Sequence, residues 1–142
     1  MTLRGLLCRF AAAYLVLLVV VALVLNLAGA NSSTSGNVAA LLGAVMWVCM
    51  DFGKKNGRYF TSDEKKRAIA GMLAIDMAID MAMQAVVTVS VGLSSGAPAL
   101  SPGPLLMVLL FIGVLHALVI WAFVGIAGKQ YAAAAAKRNR NG

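Results

Sequence analysis

Four long apolar stretches separated by short polar segments dominate the pattern of the chain. They cover residues 6–27, 36–54, 66–91 and 105–128. A helix needs about 20 mostly apolar residues to cross a bilayer. Three stretches meet that length directly. The second has a shorter apolar part, 38–52, and we expect it to extend into flanks where lysine stems can reach the headgroups. The pattern predicts an all-α fold, a four-transmembrane-helix bundle that forms one membrane domain over residues 1–142.

Composition supports this prediction. Hydrophobic residues make up 61% of the chain and charged residues 12%, and the mean hydropathy is +0.88. A soluble domain of this size cannot bury so much apolar surface. The basic residues behind the net charge of +7 lie beside the apolar stretches and not on the face of a soluble helix or sheet. Anionic lipid headgroups are therefore the expected partners of the basic residues, and nucleic acid is not.

The basic residues also predict an orientation. All 12 lysines and arginines lie near the start of the first stretch, between the second and third, or after the fourth. The connections at 28–37 and 92–104 contain no charged residue. By the positive-inside rule, both termini face the cytoplasm. The expected headgroup contacts are Lys54, Lys55, Arg58, Lys137, Arg138 and Arg140.

Local signals refine two of the helices. Thr61 and Glu64 have the spacing of a capping box, in which the two residues satisfy free amides at a helix start. The third helix is therefore expected to begin near Ser62 and to carry basic residues into the cytoplasm. Five consecutive alanines, 132–136, favour helix and are expected to continue the fourth span beyond the membrane.

Polar residues inside the spans are the candidates for function. The third span carries four of them at four-residue intervals on one helix face: Asp76, Asp80, Gln84 and Thr88. An aspartate at the centre of a membrane helix costs at least about 2.5–3.5 kcal/mol, so this face should point into the bundle or towards water. His116, the single histidine, lies in the middle of the fourth span, at a depth where it is expected to meet Asp80.

Three roles are open for these residues: a proton or cation relay, as in pumps and transporters; hydrogen bonds that hold helices together; or a docking face for the transmembrane helix of a partner. The opposite face of the third helix carries Ala74, Ala78 and Ala82, a small-residue stripe that allows close helix packing. The methionines at 72, 77, 81 and 83 are expected to pack, so no metal site is predicted. Catalytic and cofactor-binding motifs do not occur, so neither an enzyme nor a cofactor is predicted.

Several short motifs resemble a family of small four-helix inner-membrane proteins of Gram-negative bacteria. They are Ser35-Gly36-Asn37 opening the second span, Phe52 closing it, then Gly57-Arg58 and Thr61-Ser62-Asp63-Glu64-Lys65 before the third. The resemblance implies a multi-pass protein of the bacterial inner membrane. It implies no particular activity.

The expected function therefore rests on the general class of small helical membrane proteins. Small helical inner-membrane proteins without catalytic motifs often serve as immunity proteins. We expect an interaction protein that binds a membrane-acting, pore-forming antibacterial toxin within the bilayer. The alternative is a small proton-coupled transporter, or an ion-conducting homo-oligomer, that uses Asp76, Asp80 and His116.

Overall fold

A computed structural model describes residues 1–29, 33–95 and 102–140, except for the side chains at 33–35, 87, 88, 91–95, 102, 104, 105, 139 and 140. Within these ranges the chain forms four helices and no strand: α1 (Leu3–Leu27), α2 (Ser33–Asn56), α3 (Ser62–Ser95) and α4 (Pro102–Arg140). Each of the four is long and apolar enough to cross a membrane. The all-helical prediction is confirmed. The connections at 30–32 and 96–101 lie outside the described residues.

The helix ends follow the local signals. The Thr61 amide donates to Glu64 Oε2 at 3.0 Å and the Glu64 amide donates to Thr61 Oγ1 at 3.4 Å, which is the predicted capping box. Helix α3 begins at Ser62, as expected. Helix α2 ends at Asn56 before Gly57, whose φ of +64° is a conformation that glycine adopts without strain. Helix α4 continues through the alanines to Arg140, as predicted. Helix α2 also extends beyond its apolar part, residues 38–52, as predicted.

The helices form a closed ring in which α1 packs against α2, α2 against α4, α4 against α3, and α3 against α1. The Met1 amino group donates to Asn56 Oδ1, and Arg9 Nη1 lies 2.5 Å from Asp51 Oδ2. Both contacts join the start of α1 to the end of α2, so these helices are antiparallel. Tyr59, which follows α2, bonds Val124 of α4, so the basic residues within 1–9, 51–67 and 124–138 gather at one end of the bundle, here called the basic end.

Tyr59 ties the segment between α2 and α3 to α4 at the basic end. Its hydroxyl donates to the Val124 carbonyl at 2.5 Å, and its ring stacks on Tyr131. Burial raises the pKa of the Tyr59 hydroxyl, so that it remains a donor. A Cβ added at Gly128 would lie 2.7 Å from the ring. Glycine at this position therefore lets the ring lie directly against α4.

The tightly packed core occupies the half of the bundle nearest the basic end. In α1, α3 and α4 the buried side chains form rows along one face, while α2 is buried along most of its length. The buried rows are Leu6, Phe10 and Tyr14 in α1, Ala68, Met72 and Asp76 in α3, and His116, Ile120, Val124 and Ala127 in α4. Beyond Tyr14, Asp76 and His116, the described side chains of these three helices are exposed or only partly buried.

The other half of the bundle, here called the open half, is loosely packed. Residues 81–86 of α3 are exposed in unbroken succession. Six consecutive residues cover the whole circumference of an α-helix, so this part of α3 stands away from its neighbours. Leu106, Met107 and Val108 of α4 are also exposed. The bundle is therefore closed towards the basic end. At the opposite end α3 and α4 stand away from their neighbours, whereas α1 still packs against α2 at Gly36.

The alanine stripe of α3 is not buried against another helix of the bundle. Ala74, Ala78 and Ala82 would allow close helix packing, but all three residues are exposed. Helix α3 is rotated so that its aspartates face inwards, which turns the alanines on the opposite face outwards. Because an unpaired aspartate in hydrocarbon costs more than small-residue packing gains, the polar residues determine the rotation of the helix.

Candidate functional site

An Asp–His–Asp cluster lies where the packed core ends and the open half begins. His116 Nδ1 of α4 lies 2.6 Å from Asp76 Oδ2 and 3.6 Å from Asp80 Oδ2 of α3. Asp76 is 0% exposed and His116 is 7% exposed. The shorter distance is that of a charge-assisted hydrogen bond. The sequence predicted a contact between these helices, but with Asp80 as the nearer partner; His116 instead bonds Asp76, one turn closer to the basic end.

The two carboxylates have different surroundings. Asp76 is enclosed by the core, whereas the side chain of Asp80 is 13% exposed and lies one helical turn nearer the open half. Gln84, one turn further along the same face, is exposed. Thr88 continues the stripe in sequence, but its side chain lies outside the described residues. Asp80 and Gln84 thus connect the buried Asp76–His116 pair to the open half.

Tyr14 of α1 completes the cluster, and sequence reasoning missed it. Its hydroxyl is buried and lies close to both Asp76 and Asp80. Neither this hydroxyl nor Asp76 Oδ1 has a hydrogen-bond partner among the described residues. Each buried polar atom left unpaired costs about 1–3 kcal/mol. The available signal was a single phenol in an otherwise apolar stretch of α1, a position where a polar group needs a partner.

The cluster combines three side chains of two types, carboxylate and imidazole, that bind cations. One atom each from Asp76, Asp80 and His116 lie within 4.8 Å of one another. The site can hold a positive charge because two carboxylates face it, and the nearest described lysines and arginines lie at the basic end. Carboxylates and an imidazole are groups that bind cations, so the arrangement is suited to holding a positive charge.

The predicted headgroup contacts lie apart from the cluster. Lys54, Lys55, Arg58, Lys137 and Arg138 are exposed. Lys55 Nζ lies 3.1 Å from Asp51 Oδ2, and Arg58 makes two hydrogen bonds to Glu64, at 2.7 and 2.9 Å. Those bonds raise the pKa of the Arg58 guanidinium. The side chain of Arg140 lies outside the described residues.

The fold and the cluster together define a four-helix protein whose helices are long and apolar enough to cross a membrane, with a largely buried cluster of two carboxylates and one imidazole. Comparison with protein-family models, with curated proteins and with solved structures gives no match to this chain. Its function must therefore be argued from the site.

Proposed function

We propose that this chain is a multi-pass protein of the bacterial inner membrane that admits a cation from the outer side to the Asp76–His116–Asp80 cluster and takes part in its transport. The observation that carries the proposal is the position of the cluster, at the boundary between the closed half of the bundle and the open half, in which α3 and α4 stand away from their neighbours. A transporter that loads from outside needs such a boundary. Ionisable residues at this depth commonly mark ion pathways.

The orientation in this proposal places the basic end in the cytoplasm. It rests on the distribution of basic residues, all of which lie on one side of the spans. The resemblance to small inner-membrane proteins of Gram-negative bacteria supports the same location. Four helices enclose little space, so we propose that the transporter works as a homo-oligomer.

Uptake into proteoliposomes tests the proposal. The purified protein is reconstituted, and the accumulation of monovalent and divalent cations is measured for wild type and Asp80→Asn. The substitution keeps the size of the side chain but removes its negative charge, so we expect uptake to fall about tenfold or more. Asp63→Asn is the matched control, because Asp63 is an exposed carboxylate at the start of α3. Equal uptake by wild type, Asp80→Asn and empty liposomes would refute transport.

A second candidate function is binding of a partner within the membrane, with the partner a pore-forming antibacterial toxin that the chain neutralises. The exposed alanine stripe of α3 favours this candidate, because small residues facing lipid allow a second helix to approach closely. Of the residues first considered for docking, Gln84 is exposed, whereas Asp76 and His116 lie inside the bundle. Docking would therefore use the alanine face and Gln84 more readily than the buried pair.

The two candidates respond to different substitutions. Ala78→Leu places a bulky group on the alanine stripe and leaves the cluster unchanged, so it should abolish co-purification of a toxin but preserve cation uptake. Ala122→Leu, at an exposed position of α4, controls for added bulk on the lipid face. Asp80→Asn should abolish cation uptake but preserve co-purification of a toxin. Loss of toxin protection in Ala78→Leu cells with normal protein level would favour the immunity role.

A further inference from the structure

We infer that Asp76, Asp80 and His116 form a binding site for a divalent transition-metal ion such as Zn²⁺, Mn²⁺, Fe²⁺ or Co²⁺. The inference rests on the proposed cation function and names its ion class. The sequence alone predicts no metal site: the methionines of the third helix are expected to pack, and the expected approach of His116 to Asp80 is open to a relay, structural or docking role. Packing of α3 against α4 brings one ligand atom from each residue within 4.8 Å of the others.

A buried polar atom outside the three-residue cluster, the Tyr14 hydroxyl, points to a ligand, and an unpaired oxygen of Asp76 inside the cluster does so too. The Tyr14 hydroxyl and Asp76 Oδ1 are both enclosed, and both lack a hydrogen-bond partner among the described residues. Tyr14 comes from a different helix and approaches both carboxylates. A metal ion bound to the carboxylates would use the free lone pairs of Asp76. The Tyr14 hydroxyl could then donate to a ligating oxygen and hold it in place, as second-shell groups do in metal sites.

Charge selects a divalent ion. Metal ligands are deprotonated when they bind, so with an ion bound the two carboxylates and the imidazole would carry a charge of −2, which a divalent ion balances and a monovalent ion leaves at −1. An uncompensated charge in a low-dielectric interior is costly. The imidazole then selects among divalent ions, because nitrogen ligands suit transition metals, whereas Ca²⁺ and Mg²⁺ prefer sites made of oxygen atoms alone.

The distances are close to those that coordination needs. Ligand atoms about 2.1 Å from a metal lie about 3.0–3.4 Å from one another in octahedral or tetrahedral geometry. The separation of 3.6 Å between His116 Nδ1 and Asp80 Oδ2 is already near this range. The 2.6 Å contact between His116 Nδ1 and Asp76 Oδ2 must lengthen by somewhat less than 1 Å, which a rotation of the two side chains can supply. The remaining coordination positions would take water from the side of Asp80.

Metal binding is tested directly on the full chain. Protein with a streptavidin-binding tag, which avoids added histidines, is purified in detergent and stripped with chelator. It is then titrated with Co²⁺, and the visible absorption of the bound ion is recorded. We expect one Co²⁺ per chain, displaced by Zn²⁺ but not by excess Ca²⁺ or Mg²⁺. His116→Gln and Asp80→Asn should each weaken binding by at least the roughly 10–100-fold that loss of an outer-shell partner costs, since each replaces a direct ligand by a neutral amide, while Asp63→Asn should bind as wild type does.

A second measurement needs no variant. Ligands that bind the folded state raise stability in proportion to the logarithm of their concentration, so Zn²⁺ should raise the melting temperature of the wild-type protein and Mg²⁺ should not. Failure to bind Co²⁺ stoichiometrically, or equal binding by wild type and His116→Gln, overturns the inference. The experiments distinguish failure of the metal site from failure of the transport proposal. Uptake of monovalent cations without Co²⁺ binding refutes the metal site alone. Co²⁺ binding without any cation uptake supports the metal site and refutes transport.

Discussion

The buried Asp76–His116 pair makes a quantitative prediction about stability. The two side chains are 0% and 7% exposed and are joined at 2.6 Å. If the histidine is protonated, the contact is a buried ion pair, and removing one partner from such a pair typically costs about 3–5 kcal/mol. We therefore expect Asp76→Leu and His116→Leu each to lower the free energy of unfolding by that amount. The double substitution replaces both groups by apolar ones and should cost about 1 kcal/mol or less.

The coupling energy distinguishes an ion pair from an ordinary interhelical hydrogen bond. In a double-mutant cycle, the values above give a coupling energy of roughly 5 kcal/mol or more between the two side chains. Hydrogen bonds between membrane helices average about 0.6 kcal/mol in cycles of this kind. Reversible unfolding in mixed detergent micelles containing increasing dodecyl sulfate, followed by circular dichroism, gives the four free energies. The Arg9–Asp51 pair is the matched control because it also joins two helices but is substantially exposed, and its coupling should be about 0.2–1 kcal/mol. Equal coupling in the two cycles would refute the reasoning.

Three further predictions concern packing, capping and topology. Gly128→Ala should lower the free energy of unfolding by about 1–3 kcal/mol, because the added methyl group forces the Tyr59 ring off α4. The control is Gly103→Ala, whose added methyl group meets no atom within 4 Å and should leave the detergent unfolding curve unchanged. Similar losses of stability at both sites would contradict the packing argument. Thr61→Ala should cost about 1 kcal/mol and speed amide hydrogen exchange in the first turn of α3, and unchanged exchange there would argue against the cap. In a cysteine-free background, Gly57→Cys should react with a membrane-impermeant maleimide in inverted vesicles and not in intact spheroplasts; the reverse result would invert the proposed orientation.

Periodicity and local chemistry were sufficient to predict the helices. The apolar stretches gave their number, the capping box gave the start of α3, and the alanine run gave the extension of α4, because each signal acts within a few residues. The inward face of α3 was also predictable, since two aspartates one turn apart cannot both face lipid. These features depend on the chemistry of single helices and need no knowledge of their neighbours.

Features that depend on how the helices meet were not predictable in the same way. The choice of Asp76 over Asp80 as the partner of His116 depends on a relative shift of α3 and α4 by one turn, which no local signal specifies. The approach of Tyr14 depends on α1 packing beside α3. The outward position of the alanine stripe followed from the rotation that the aspartates impose.

The unequal burial of the helices has a consequence for how the chain enters the membrane during synthesis. About half of the membrane-crossing part of α2 is buried inside the bundle, against less than a fifth of each other helix, and α2 is the least apolar of the four. Its buried Gly36 lies against Val21 and Leu25 of α1. Helix α1 can therefore partition into lipid on its own, whereas α2 gains most of its stabilisation by folding against a helix that is already there. The translocation machinery would release the two as a hairpin, and a ribosome stalled before Gly36 would leave α1 alone in the bilayer.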